Sequence, residues 1–153
     1  MNMNKYTIKA QEAVQEAVKR AERQGQQAIE PEHLLSGILQ AAEEVTRFIF
    51  QKLGLNPTTV QQAVDAQIGS LPKVQGGQPY LSQQSSQVLQ KAEDLAQQGG
   101  DEYVSVEHLL MAIADVQCTA GKMLKDMGLT QEELKKAIHE LRGGQKVTSQ
   151  SSE

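Results

Sequence analysis

Apolar positions recur at three- and four-residue spacing through most of this chain, and the pattern is written twice. After Thr7, the stripe Ala10, Ala13, Val14, Ala17 and Ala21 leaves Lys, Glu, Gln and Arg on the other faces, which predicts an amphipathic helix. Thr7 suits its N-cap, since a hydroxyl accepts a bond from an orphan amide of the first turn, and Gly25 suits its end. A stripe made mostly of alanine predicts a neighbouring helix packed unusually close.

Glu30-Pro31-Glu32 predicts a second helix, with proline at the first helical position and acids at the positive end of the dipole. Its inward residues are Leu34, Leu35, Ile38 and Leu39. A third helix is predicted from about Glu44 to Leu53, stopped by Gly54. Asn56-Pro57 opens a fourth, carrying Val60, Ala63, Val64 and Ile68. Leu71 to Tyr80 contains two prolines and a Gly-Gly pair, so it is read as a connector. Ser82 and Ser105 then cap a fifth and a sixth helix. A short seventh runs to about Met127, and Thr130-Gln131-Glu132-Glu133 is a capping box for the eighth.

The second set of helices repeats the first. Glu32-His33-Leu34-Leu35 returns about 75 residues later as Glu107-His108-Leu109-Leu110. Without a gap, Thr7 to Leu35 lies over Ser82 to Leu110, pairing Ala17 with Ala92, Gly25 with Gly100 and Ile29 with Val104. Such internal self-similarity marks a duplicated unit. The expected fold is all-α: about eight helices in two four-helix repeats, pseudo-twofold related and packed as one domain. Repeat one covers about residues 7–70, the connector 71–80 and repeat two about 81–142. Residues 143–153 nearly lack apolar side chains and are read as a flexible linker.

Composition narrows the function. The 153 residues include no Trp, two Phe and three Tyr, so the core is aliphatic. The net charge is −4 with no basic run, which excludes a nucleic-acid surface. A lone Cys118 forms no internal disulfide and fits a reducing compartment. No stretch has the length of a membrane helix, and the first residues lack a signal-peptide core. A cytoplasmic, membrane-free location is expected.

Catalytic chemistry is sparse. Gly143-Gly144-Gln145-Lys146 lacks the spacing of a phosphate loop, so the chain itself is expected to bind no nucleotide. His33 and His108 stand at third helical positions with no second ligand at metal spacing, and are read as bridging turns or donating to backbone carbonyls. Cys118 has no activating base nearby. Glu43-Glu44 and Glu132-Glu133 lie at helix starts, where the dipole accounts for them. Neither a catalytic nor a metal site is expected. Asp101, Glu102 and Glu107 cluster beside Tyr103; they are either helix caps or an acidic rim on an apolar binding surface. Ile8, Leu81 and Val88 are expected to line a seam between the repeats, near the equivalent helix starts at Thr7 and Ser82.

Three stretches carry a resemblance: Tyr6-Thr7-Ile8-Lys9-Ala10-Gln11-Glu12-Ala13 with the later Ile29-to-Leu35 turn, the connector Leu71-to-Gly77 running into Tyr80-Leu81-Ser82, and Leu141-Arg142-Gly143-Gly144-Gln145-Lys146-Val147. Together they resemble the amino-terminal domain of Clp-family AAA+ unfoldases, most of all the ClpB-type disaggregases. The resemblance implies a non-enzymatic domain over residues 1–142, followed by a linker toward an ATPase module outside this chain. It implies substrate binding at Thr7, Asp101 and Glu107, with an apolar groove near Val88, Leu89 and Leu95. The implied partners are unfolded or aggregated client proteins, the rest of a homohexameric ring, and a cooperating Hsp70-type chaperone. ATP and Mg would belong to the parent protein, and the isolated domain would be a monomer. An alternative is an adaptor-docking domain of the ClpA or ClpC type. A small helical enzyme built on His33 or His108 is a third reading, opposed by the missing ligands.

Overall fold

The computed structural model describes residues 2–153. The eight expected helices form: α1 Ile8–Arg23, α2 Pro31–Ala41, α3 Glu43–Lys52, α4 Pro57–Gly69, α5 Gln83–Gln98, α6 Val106–Asp115, α7 Thr119–Asp126 and α8 Gln131–Arg142. The Thr7 hydroxyl caps α1 through Ala10 N–H, Asn56 caps α4, Ser82 caps α5, and Thr130 caps α8. Cys118 caps α7, its sulfur accepting from Gly121 N–H at 3.3 Å. No helix among the described residues is long and apolar enough to cross a membrane.

Both repeats contribute to a single aliphatic core, which runs from Ala10 and Leu34 through Ile49, Phe50 and Val88 to Leu109, Leu134 and Ile138. Within it, α1 packs along α2 and α5 along α6, while α2 also meets α5, α6 and α7. The alanine face of α1 permits the predicted close approach. Ala10, Ala13, Ala17 and Ala21 are all buried, and a Cβ added at Gly37 of α2 would collide with the Ala13 carbonyl. The colliding atom is backbone and has no rotamer to change. Gly37→Ala is therefore expected to destabilise the domain by about 2–3 kcal/mol, the upper part of the overpacking range, measured by urea unfolding.

Two very short strands have no counterpart in the sequence reading. Strand β1, Ala28–Ile29, runs parallel to β2, Tyr80–Leu81, pairing Ala28 with Tyr80 and Ile29 with Leu81. An isolated parallel bridge joins Tyr6 to Val104. The residues leading into α5 thus pair with the loop before α2, and those leading into α1 pair with the loop before α6. Thr7 N–H donates to Val104 O at 2.9 Å, and Ser82 N–H donates to Ile29 O at 3.1 Å. Each half lends its entry segment to the other, and the start of α1 is laid beside the start of α6.

Candidate functional site

The junction between the α1 and α6 starts collects the polar residues that the sequence singles out. His108 is the third residue of α6, and its Nδ1 accepts the Ser105 N–H at 2.9 Å, which closes the helix end. The proton therefore sits on Nε2, which donates to Asp101 Oδ2 at 2.8 Å. Repeat one builds the same device without charge. His33 Nδ1 accepts from Glu30 N–H at 2.9 Å, and Nε2 meets Gln26 Oε1 at 2.7 Å. Gln26 and Asp101 are equivalent under the repeat. Both histidines are capping groups, but each Nε2 bonds a side chain where a backbone carbonyl was the expected partner. Burial, joined by the Arg20 charge, brings His33 down to about 4. Burial also holds His108 below the usual range, helped by Arg142 and opposed by Asp101 and Glu107. Both rings are neutral at physiological pH.

Replacing Gln26 by Asp101 in repeat two introduces a buried charge, and a buried charge needs a partner. Arg142, the last residue of α8, supplies it: Nη1 lies 3.0 Å from Asp101 Oδ2, Nε 3.2 Å from Glu107 Oε1, and Nη2 3.1 Å from Ser105 Oγ. The carboxylates are 3% and 4% exposed and the Arg142 side chain 17%, so the pairs are largely screened from water. Burial pushes the Asp101 carboxyl up; the Val147 N–H, His108 and Arg142 outweigh it and hold the group below its ordinary range. For Glu107, burial is likewise outweighed, by hydrogen bonding to Glu153 and the Arg142 charge.

Residues 143–153 depart from the expected free linker. Gly143, in the left-handed conformation, ends α8 and turns the chain back over the junction. Val147 is buried, its N–H donates to Asp101 Oδ1 at 2.9 Å, and its carbonyl accepts from Glu102 N–H at 2.8 Å. Ile8 N–H donates to Gln150 O at 2.8 Å, and the Gln150 amide donates to Asn4 O at 3.0 Å. The Glu153 carboxyl accepts from Val106 N–H at 3.1 Å and is hydrogen-bonded to the Thr7 hydroxyl. Burial and the adjoining Glu107 push that carboxyl up to about 9. A cavity of about 360 Å³ remains beneath the segment, lined by Val45, Glu107, Leu141, Val147 and Glu153 among others.

The expected site residues divide accordingly. Thr7, Glu107 and the Asp101 side chain come together, but buried under the segment and the Arg142 cluster, where an exposed rim was expected. Ile8 lies beside them and is half exposed. Val88 and Leu89 do not line a groove: α5 packs on α6 and meets α2, so the stripe that was to face a client is core. Leu95 is partly buried and lines a second cavity of about 350 Å³ with Asp101, His108, Met111 and Ile138. Leu81 sits in β2 against Ile29, at the other junction. Arg142, Ser105, Val147 and Glu153 were not anticipated. Among the described residues, no group of three or more His, Cys, Asp or Glu is placed to hold a metal ion.

Comparison with known proteins agrees with this architecture. The Clp repeat (R) N-terminal domain family matches residues 5–127. The chain belongs to that family. Among relatives of this Clp N-terminal domain, the chaperone protein ClpB of Bacteroides thetaiotaomicron is 58% identical over 153 residues, covering 100% of this chain and 18% of that protein. ClpB of Porphyromonas gingivalis is 53% identical with the same coverage. The chain thus spans under a fifth of the length of these relatives. The Hsp104 N-terminal domain from Candida albicans superposes with a TM-score of 0.81 at 24% identity, covering 96% of this chain and 97% of that one. A ClpV N-domain in complex with a VipB peptide superposes at 0.76 with 18% identity, covering 99% and 91%. These two likenesses establish the shared all-α fold.

Proposed function

We propose that this chain is the substrate-recognition domain of an ATP-dependent ClpB-type disaggregase, binding unfolded or aggregated polypeptides in the groove between the starts of α1 and α6. The observation that carries the reading is the extended stretch at Val147 and Gln150, which pairs with Asp101, Glu102 and Ile8 through its backbone. Backbone pairing with little side-chain selection is the chemistry required for clients of unrelated sequence. Thr7, Asp101, Glu107 and the half-exposed Ile8 gather in this groove. The peptide seen on the ClpV N-domain supports the same use of a related fold.

In this reading the domain performs no catalysis. ATP, Mg and the threading motor belong to ATPase modules of a homohexameric parent, which works in the cytoplasm, with an Hsp70-type chaperone as its partner. One groove is short and binds weakly. Six on a ring gain avidity without new contacts. The test is a nitrogen–proton shift titration with reduced, carboxymethylated lactalbumin, a permanently unfolded chain. Saturable shifts at Thr7, Ile8, Asp101 and Val106 are expected. Shifts produced by a folded adaptor alone, with no response to the unfolded chain, would replace the client reading with adaptor docking.

A further inference from the structure

The groove is already filled by this chain's own residues, and the way it is filled has a consequence for clients. Segment 146–153 contains one apolar side chain, Val147, and that side chain is buried. Its remaining hold is a set of hydrogen bonds: Lys146 with Gly99, Val147 with Asp101 and Glu102, Gln150 with Ile8, Asn4 and Tyr6, and Glu153 with Val106 and Thr7. A turn closed by Ser152 N–H to Ser149 O brings Glu153 back to the junction. The edges engaged are the Ile8 N–H, the Glu102 N–H and the Val106 N–H in the first turn of α6, which are the groups an incoming extended chain would need.

We propose that segment 146–153 is a resident occupant of the client groove, and that a client binds only by displacing it. This rests on the groove being the client site. The hold is shallow by construction. A single buried valine and hydrogen bonds worth about 1 kcal/mol each net must offset the ordering of eight residues, at about 1–2 kcal/mol of backbone entropy apiece. A segment so balanced opens readily and belongs to the low-stability end of the fold. Apparent client affinity is then the intrinsic affinity multiplied by the open fraction. With the segment docked about nine-tenths of the time, releasing it strengthens binding about tenfold.

The experiment uses the whole chain with Val147→Asp, which sets a carboxylate beside Asp101 and expels the segment without altering the groove wall. The double variant Gln150→Ala with Glu153→Ala is the second route, acting only on the outer end. Nitrogen–proton NOE values at residues 147–153 report docking, and titration with reduced, carboxymethylated lactalbumin reports affinity. Ordered amides in the parent chain, disordered ones in both variants and about tenfold tighter binding by the variants are expected. Unchanged affinity once the segment is released overturns the occupant while leaving the client groove intact. Failure of parent and variants alike to bind the unfolded chain removes the client reading and the occupant with it. Disordered 147–153 amides in the parent chain overturn the occupant directly.

Discussion

Arg142→Met is expected to lower the unfolding free energy by about 3–5 kcal/mol, the cost of leaving a buried ionic partner uncompensated. Arg142 ends α8 and bridges Asp101 and Glu107, both nearly inaccessible to water. Methionine preserves most of the stem and removes the charge. The loss should follow pH with a definite sign. In the parent chain both carboxyls lie below their ordinary values, so their contribution is present above the unfolded values near 4 and is lost as pH falls through the lowered ones. The difference between parent and variant should therefore be full at pH 7 and shrink on acidification. Adding Asp101→Asn and Glu107→Gln to Arg142→Met should recover much of the stability, because the orphaned charges are gone. Urea unfolding at several pH values checks all three expectations. A loss below about 1 kcal/mol at pH 7, typical of exposed pairs, would mean that water reaches the cluster.

The second large effect concerns Glu153. Its carboxyl faces Glu107, Thr7 and the Val106 N–H, with Arg142, Asp101 and His108 behind Glu107. Apart from the facing Glu153 carboxyl, one Glu107 oxygen is buried without a hydrogen-bond partner, so the two carboxyls favour retention of one proton between them. A group raised to about 9 contributes stability that is complete below its unfolded value near 4.5 and is lost as pH rises through about 9. Asp101, Glu107 and His108 are all held below their ordinary values, so among the groups gathered at this junction it is Glu153 that is raised into the alkaline range. Docking of segment 146–153 should weaken there by up to about tenfold per pH unit, the limit for one proton. Glu153→Gln supplies a permanent N–H to Glu107 and should make docking insensitive to pH over that range. Amide exchange at Val147 and Gln150, corrected for intrinsic rates, distinguishes the two behaviours.

The helical frame was legible because its signals are local. Thr7, Ser82, Ser105 and Thr130 are strong caps, and the alanine stripe of α1 announces the close contact with α2. The duplication made His33 and His108 readable as the same structural device. Three features resisted sequence reading for physical reasons. Strands of two residues, Ala28–Ile29 and Tyr80–Leu81, are too short to show an alternating period. The stripe of α5 has the same spacing whether it faces a core or a groove, and packing against both α6 and α2 decided for the core. Segment 143–153 reads as solvated because a single valine carries little weight in any window, yet its backbone finds partners in the loop at Asp101 and at the start of α1. Arg142 had a faint signal: Asp101 stands where repeat one has Gln26, and that added charge requires a cation, which the last turn of α8 carries and the last turn of α4 does not.

The α1–α6 junction is the place where an extended client is proposed to lie. A spin label on reduced, carboxymethylated lactalbumin tests this most directly, through the broadening of amide signals in its complex with the domain. The prediction is broadening centred on Ile8, Thr7 and Val106, while Val147 and Gln150 move toward random-coil positions as the segment leaves. Broadening centred instead on Val74 and Tyr80, the other two large apolar side chains exposed among the described residues, with segment 146–153 undisturbed, would contradict it.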